Sequence, residues 1–208
     1  MLNTVSRLFL IAALVLSQSA VFAQTSGRET VQELFTLFSA WSSKQSQSRI
    51  FTEAAQHIDY PTMAEMAFTP AQWDSFAPAE KKELIRSFRT LVENRYYQRW
   101  HKLFLRSRLN IANEAKAGGD IYVKTYITEG KSEDTVIWRL RPRGGEPMVI
   151  SLDVNGKDLV SRLSDRFQKQ LKKRGPQGLI AWMKDKADID EDEANGGSPA
   201  VDRKAASK

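Results

Sequence analysis

Ile58–Phe104 reads IDYPTMAEMAFTPAQWDSFAPAEKKELIRSFRTLVENRYYQRWHKLF, and this stretch decides the fold class. Its second half carries Leu84, Phe88, Leu91, Val92, Tyr96, Trp100 and Leu103 at helical spacing, which predicts one long helix opened by Pro78. Glu80 and Glu83 near its start and Arg99, Lys102 and Arg106 near its end suit the helix dipole. Before it, Pro61 opens a short helix from Tyr60 to Ala67. Thr69-Pro70-Ala71-Gln72 has the form of a capping box, with a threonine cap and a glutamine three residues on.

Immediately after this stretch the hydrophobic period changes. Leu109 and Ile111, then Ile121, Val123 and Ile127, then Val136, Trp138 and Leu140, then Met148, Ile150, Leu152 and Val154 alternate with a period of two. Gly118-Gly119, Gly130-Lys131 and Gly144-Gly145 separate them as turns, so the expectation is a meander of about four antiparallel strands. In the last two strands the opposite face carries Arg139, Arg141, Ser151 and Asp153, which predicts a solvated side. The second strand carries Tyr122 and Tyr126 there, so both of its faces are apolar.

Upstream, Val31, Leu34, Phe35, Phe38 and Trp41 predict a helix over 27–43, and a second short helix covers 49–57. Downstream, Leu159, Leu163, Phe167 and Leu171 form one stripe over 158–173; Gly175-Pro176 ends it, and a last short helix covers 179–184. Helices, an antiparallel sheet and further helices describe an α+β domain with helices packed on a curved sheet.

The ends of the chain differ in composition. Arg7, the apolar run Leu8–Leu16 and Val21-Phe22-Ala23 read as a signal peptide over 1–23, so the domain at 24–187 is expected to be exported. No cysteine is available for disulfides, thiol catalysis or cysteine-ligated metal. The net charge is +6, yet Asp188, Asp190, Glu191, Asp192 and Glu193 make the end acidic, and 188–208 reads as a disordered acidic tail. The domain is correspondingly more basic than the whole chain, a property that favours anionic surfaces or head groups. Nucleic acid is not an expected partner for an exported protein.

His57 and His101 stand in no metal or nucleophile motif, and no glycine-rich phosphate loop is present. The sequence therefore offers no catalytic or metal-binding set. What it offers is aromatic rings, methionines at 63 and 66 suited to an adaptable apolar lining, and arginines along the long helix.

The order of the segments IDYPTMAEMAF, TPAQW, APAEKKELIRSFRTLVENRYY and DVNGKDLVSRLSDRFQKQLKKRGPQGLIAWMKDK resembles the MlaC family over Val31–Ala187. That family comprises toluene-tolerance Ttg-type auxiliary components of phospholipid ABC transport systems. The chain departs from the family's usual pattern at Gln72-Trp73 and at Gly156-Lys157-Asp158, and in its acidic tail.

The resemblance implies an NTF2-like, MlaC-like fold enclosing an apolar lipid cavity. It implies a monomeric periplasmic carrier with phospholipid as cargo and no cofactor. Its partners would be an outer-membrane lipoprotein complex and an inner-membrane ABC transporter with an MCE-domain subunit. The expected lining is Tyr60, Met63, Met66, Trp73, Phe88, Leu91, Val92, Tyr96, Trp100, Tyr122, Tyr126, Trp138, Leu163 and Phe167, with Tyr122, Tyr126 and Trp138 closing the cavity opposite the long helix. Two alternatives stay open. One is an NTF2-like enzyme using His57 or Asp59 as base on an apolar substrate; the other is an adaptor that binds anionic surfaces through the basic helix.

Overall fold

In the computed structural model, residues 25–42 and 47–188 are described. The expected signal peptide lies outside them, as does the acidic tail beyond Asp188. Helix α1 (Gly27–Ser39) opens with a reciprocal box: Ser26 Oγ accepts from Glu29 N–H at 3.2 Å and Glu29 Oε2 accepts from Ser26 N–H at 2.6 Å. It ends four residues earlier than its apolar spacing suggests. Trp41 lies past the helix end and still reaches the core, meeting Phe51 edge-on and His101 at a tilt.

Helices α2 (Gln47–Ala54), α3 (Tyr60–Met66) and α4 (Pro70–Ser75) follow, and the predicted Thr69–Gln72 box caps α4. Helix α5 (Pro78–Phe104) runs unbroken for 27 residues and buries Leu84, Phe88, Leu91, Val92, Tyr97, Trp100 and Phe104. Its interior contains no Gly or Pro to break it.

Strands β1 (Arg108–Ala117), β2 (Asp120–Glu129), β3 (Ser132–Arg143), β4 (Glu146–Val154) and β5 (Lys157–Asp158) form an antiparallel sheet in sequence order. The fold is α+β, with one more strand than expected. The added strand is a two-residue piece created by Asn155-Gly156, whose φ angles of 53° and 78° make the tight turn that matches strand twist.

Pairing of Val123 with Trp138 and of Trp138 with Leu152 turns Ile121, Val123, Thr125, Ile127, Val136, Trp138, Leu140 and Leu152 toward the helices. Gly27 lets α1 lie against that face, because a Cβ there would stand 2.9 Å from Ile121 Cγ2. On the other face Tyr122, Lys124, Tyr126, Arg139 and Arg141 alternate outward; the solvated side expected of the last two strands holds at Arg139 and Arg141, whereas Ser151 is buried.

Helix α6 (Leu159–Asp188) is broken at Gly175, where φ is 66° and ψ is −176°. Both halves pack on the core, the first through Leu159, Leu163 and Phe167 and the second through Leu179, Ile180 and Met183. The last helix thus continues to Asp188, past its predicted end, because its stripe persists through Met183 and Ala187. None of the described helices is long and apolar enough to cross a membrane.

Candidate functional site

Most of the aromatic side chains pack on one another. Phe35, Phe38, Tyr97, Trp100, Phe104 and Trp138 form one cluster between α1, α5 and the sheet, with ring centroids 4.8–6.4 Å apart. Phe68, Trp73, Phe76, Phe88, Phe167 and Trp182 form a second one across α3 to α6. Edge-on and tilted rings at these separations add to the burial of area alone. The indole Nε1 of Trp138 donates to Thr125 Oγ1 at 3.1 Å, which satisfies its polar atom inside the core.

Among the expected lining residues, Met63, Phe88, Leu91, Val92, Trp138, Leu163 and Phe167 are buried in this core, while Met66 and Trp73 pack at its margin. Tyr60 is also buried, and its hydroxyl meets that of Tyr97 in a short hydrogen bond. Burial pushes both phenols above their ordinary pKa. Arg89 holds Glu93 at 2.7 Å beside them and covers the Tyr60 ring at 5.3 Å. This polar cluster ties α3 to α5.

A cleft of about 330 Å³ opens where α5, β4, the β4–β5 turn and the start of α6 meet. Tyr96, Arg99, Trp100 and Leu103 come from one face of α5, because positions three, four and seven apart lie together on a helix. Leu152 and Val154 come from β4 by strand alternation; Asn155 lies in the tight turn and Lys157 follows it; Leu159 and Arg162 are one turn apart on α6. The lining is chemically divided. Trp100, Leu103, Leu152, Val154 and Leu159 provide apolar surface, whereas Arg99, Lys157 and Arg162 provide positive charge.

Arg99 covers the Tyr96 ring at 5.8 Å. Among the described residues none of these three cations pairs with a carboxylate. An amphipathic molecule with an anionic head matches both parts of the surface, since guanidinium groups bind phosphate through charge-assisted hydrogen bonds.

Of the expected lining, Tyr96 and Trp100 reach this cleft. Tyr122 and Tyr126 do not close a cavity together with Trp138. Tyr122 pairs with Arg139 and Tyr126 with Thr135, one residue out of phase with the Val123–Trp138 pair, so their rings emerge from the opposite face of the sheet. There Arg139 covers Tyr122 at 5.8 Å and Lys124 covers Tyr126 at 5.1 Å. Leu103, Leu152, Val154, Asn155, Lys157, Leu159 and Arg162 were not among the expected site residues. Asn155-Gly156 was the available signal, because such a pair forces a hairpin and brings Lys157 beside β4.

The remaining polar groups are engaged in structure. Asp59 is 3% exposed and caps α3, accepting from Thr62 N–H at 3.1 Å and Thr62 Oγ1 at 2.7 Å, with Arg143 donating to it at 2.8 Å. His57 stands 3.5 Å from Glu33, and His101 Nδ1 lies 2.7 Å from the Phe38 carbonyl. Neither histidine lines the cleft. On the outer sheet face Asp120 is clamped by Arg139 and Arg141 at 2.6–3.1 Å. Its burial disfavours the charge, yet hydrogen bonds from Arg141 and Arg139 outweigh that and hold the carboxyl below its ordinary pKa. No cluster of His, Asp and Glu suited to a metal ion occurs among the described residues.

A solved structure of similar fold is that of the phospholipid-binding protein from Ralstonia solanacearum in complex with a phospholipid, with a TM-score of 0.67. The two chains are 14% identical, and the likeness covers 79% of this chain and 96% of that one. No curated protein sequence matches the chain. The MlaC protein family, by contrast, matches residues 28–185, which span the described domain from the start of α1 to the last turns of α6. The chain belongs to the MlaC family.

Proposed function

We propose that this protein is a periplasmic phospholipid carrier that takes lipid between an outer-membrane lipoprotein complex and an inner-membrane ABC transporter with an MCE-domain subunit. The observation that carries the reading is the cleft's division into an apolar floor and a basic rim. Family membership and the phospholipid held by the similarly folded Ralstonia solanacearum protein support it. In this reading the phosphate faces Arg99, Lys157 and Arg162, and an acyl chain lies over Trp100, Leu103, Leu152 and Leu159.

A carrier answers a physical need, because each exposed methylene costs about 0.8 kcal/mol in water. An apolar cleft makes exchange with a bilayer nearly neutral. At about 330 Å³ the cleft sits at the small end of the roughly 300–1,000 Å³ typical of ligand pockets. Two full acyl chains therefore require α5 and the first half of α6 to part, with Trp100 moving from its place against Phe38 and Tyr97. Phe88, Leu163 and Phe167 then become the deeper lining.

The test is mass spectrometry of an organic extract of the full chain after export and purification. Phospholipid at near one molecule per chain is the expected result; an extract free of lipid, together with no uptake from phospholipid vesicles, sinks the proposal.

A further inference from the structure

Positive charge is spread unevenly over the helices. In the first half of α5 bases sit beside acids, Arg86 with Glu83 at 2.8 Å and Arg89 with Glu93 at 2.7 Å. The first half of α6 differs. Between Leu159 and the break at Gly175 it holds Arg162, Arg166, Lys169, Lys172, Lys173 and Arg174 against a single acid, Asp165. All six bases are exposed, and among the described residues none of them pairs with a carboxylate.

Arg162, Arg166, Lys169 and Lys173 follow one another by four, three and four residues, the spacing that sets side chains on one face of a helix. From the first to the last the stripe runs about 16 Å along α6. Leu159, Leu163 and Phe167 occupy the buried face and so hold the stripe outward. Because Arg162 lies at the cleft rim with Arg99 and Lys157, the stripe begins at the mouth of the cleft and leads away from it.

This surface lacks what a protein interface uses. Interface centres are depleted in Lys and anchored by aromatic or aliphatic side chains, whereas among the described residues the exposed large apolar side chain is Leu105, just past the end of α5. A row of unpaired, flexible bases instead suits many anionic groups in no fixed arrangement, as anionic phospholipid head groups present them.

We propose that Arg166, Lys169 and Lys173, continuing the basic rim from Arg162, form a docking face for an anionic phospholipid bilayer and hold the cleft mouth against it. The purpose of that orientation rests on the reading of the cleft as a phospholipid site; the attachment itself does not. Each base near an anionic membrane surface strengthens attachment about fivefold, so a few together give a hold that salt readily reverses. A carrier that must leave the membrane again needs a hold of that kind.

The test is sedimentation of the full chain, exported and purified, with vesicles of phosphatidylcholine alone or with about one third phosphatidylglycerol. At about 20 mM salt the chain is expected to bind the anionic vesicles and not the neutral ones, and at about 0.5 M salt, where charges are screened, to come off. Arg166→Gln, Lys169→Gln and Lys173→Gln together should weaken attachment about tenfold or more. Lys116→Gln, Lys124→Gln and Lys131→Gln, which remove three exposed bases from the sheet and one of its turns, should leave it within about twofold. Arg166→Lys keeps the charge and should bind like the parent. Melting temperature and phospholipid content per chain should stay the same in all of them, because none of these positions lines the cleft.

Equal attachment of the α6 variant and the parent, equal attachment to neutral vesicles, or an equal loss in the sheet variant overturns the docking face. Retention on immobilised polyglutamate without attachment to vesicles also overturns it and marks a protein partner instead. An extract free of lipid with salt-sensitive attachment intact defeats the carrier reading and leaves the docking standing; a lipid-filled chain that ignores the vesicles does the reverse.

Discussion

Replacing Gly175 by alanine isolates the energy stored in the break of α6. A Cβ at this position would touch nothing within 4 Å, so the cost is one of backbone conformation alone. With φ at 66° and ψ at −176°, the residue occupies a region essentially restricted to glycine, where another residue costs about 1–3 kcal/mol. Alanine also stiffens the unfolded chain, which offsets about 0.4–1 kcal/mol. The midpoints of the two ranges leave a net loss of about 1.3 kcal/mol, a fall in Tm of about 3–5 °C for a domain of this size.

Thermal unfolding followed by circular dichroism and urea unfolding at constant m-value measure it. Lys173→Ala, an exposed helical position two residues earlier, is the control, and its change should stay within about 0.5 kcal/mol. A Gly175→Ala protein that melts within one degree of the parent, or above it, refutes the strained break.

Substituting Arg99 and Arg162 together by alanine should weaken phospholipid binding about fivefold to thirtyfold, from about 1–2 kcal/mol of exposed charge pairing; fluorescence titration at low and high salt reads it, and the two proteins should converge as salt rises. Asp59→Ala should lower the unfolding free energy by about 1–3 kcal/mol through loss of the α3 cap and the bond from Arg143, with phospholipid content unchanged; retained stability alongside lost binding would instead make Asp59 a site residue. Because Asp120 is held below its ordinary pKa, its contribution to stability is fully present above the unfolded value of about 3.9 and is lost as pH falls through the folded value. Urea midpoints measured from pH 7 to pH 3 should therefore drop less steeply below about pH 4 in Asp120→Asn than in the parent.

The strand meander was legible because each of its turns carries a glycine, and α5 because seven apolar residues keep helical phase from Leu84 to Leu103. The fifth strand was overlooked although Asn155-Gly156 encodes it: two residues give no alternation to detect. Tyr122 and Tyr126 were misplaced for a different reason. When both faces of a strand are apolar, composition cannot say which face meets the core, and only the register of Val123 on Trp138 decides it. Of the basic rim, Arg99 belongs to the arginines expected along the long helix, whereas Lys157 and Arg162 come from other elements far apart in sequence, where nothing local distinguishes them from other surface cations. The aromatic load was visible, but its first use is to pack against itself.

An open sheet has two borders at which another polypeptide could add a strand. Among the described residues one border of this sheet is partly covered and the other is interrupted. Beyond β4, the chain at Ile58 pairs with Val149, through bonds of 2.9 and 2.8 Å, and β5 pairs with Asp153 and Val154. At the other border β1 is interrupted by a register shift between Ile111 and Asn113 and carries Arg108, Glu114 and Lys116. Bulges and charges of this kind interrupt strand-to-strand growth. With no cysteine in the chain, no disulfide ties the helices to one another, so the sheet's protected borders are the fold's main guard against polymerisation.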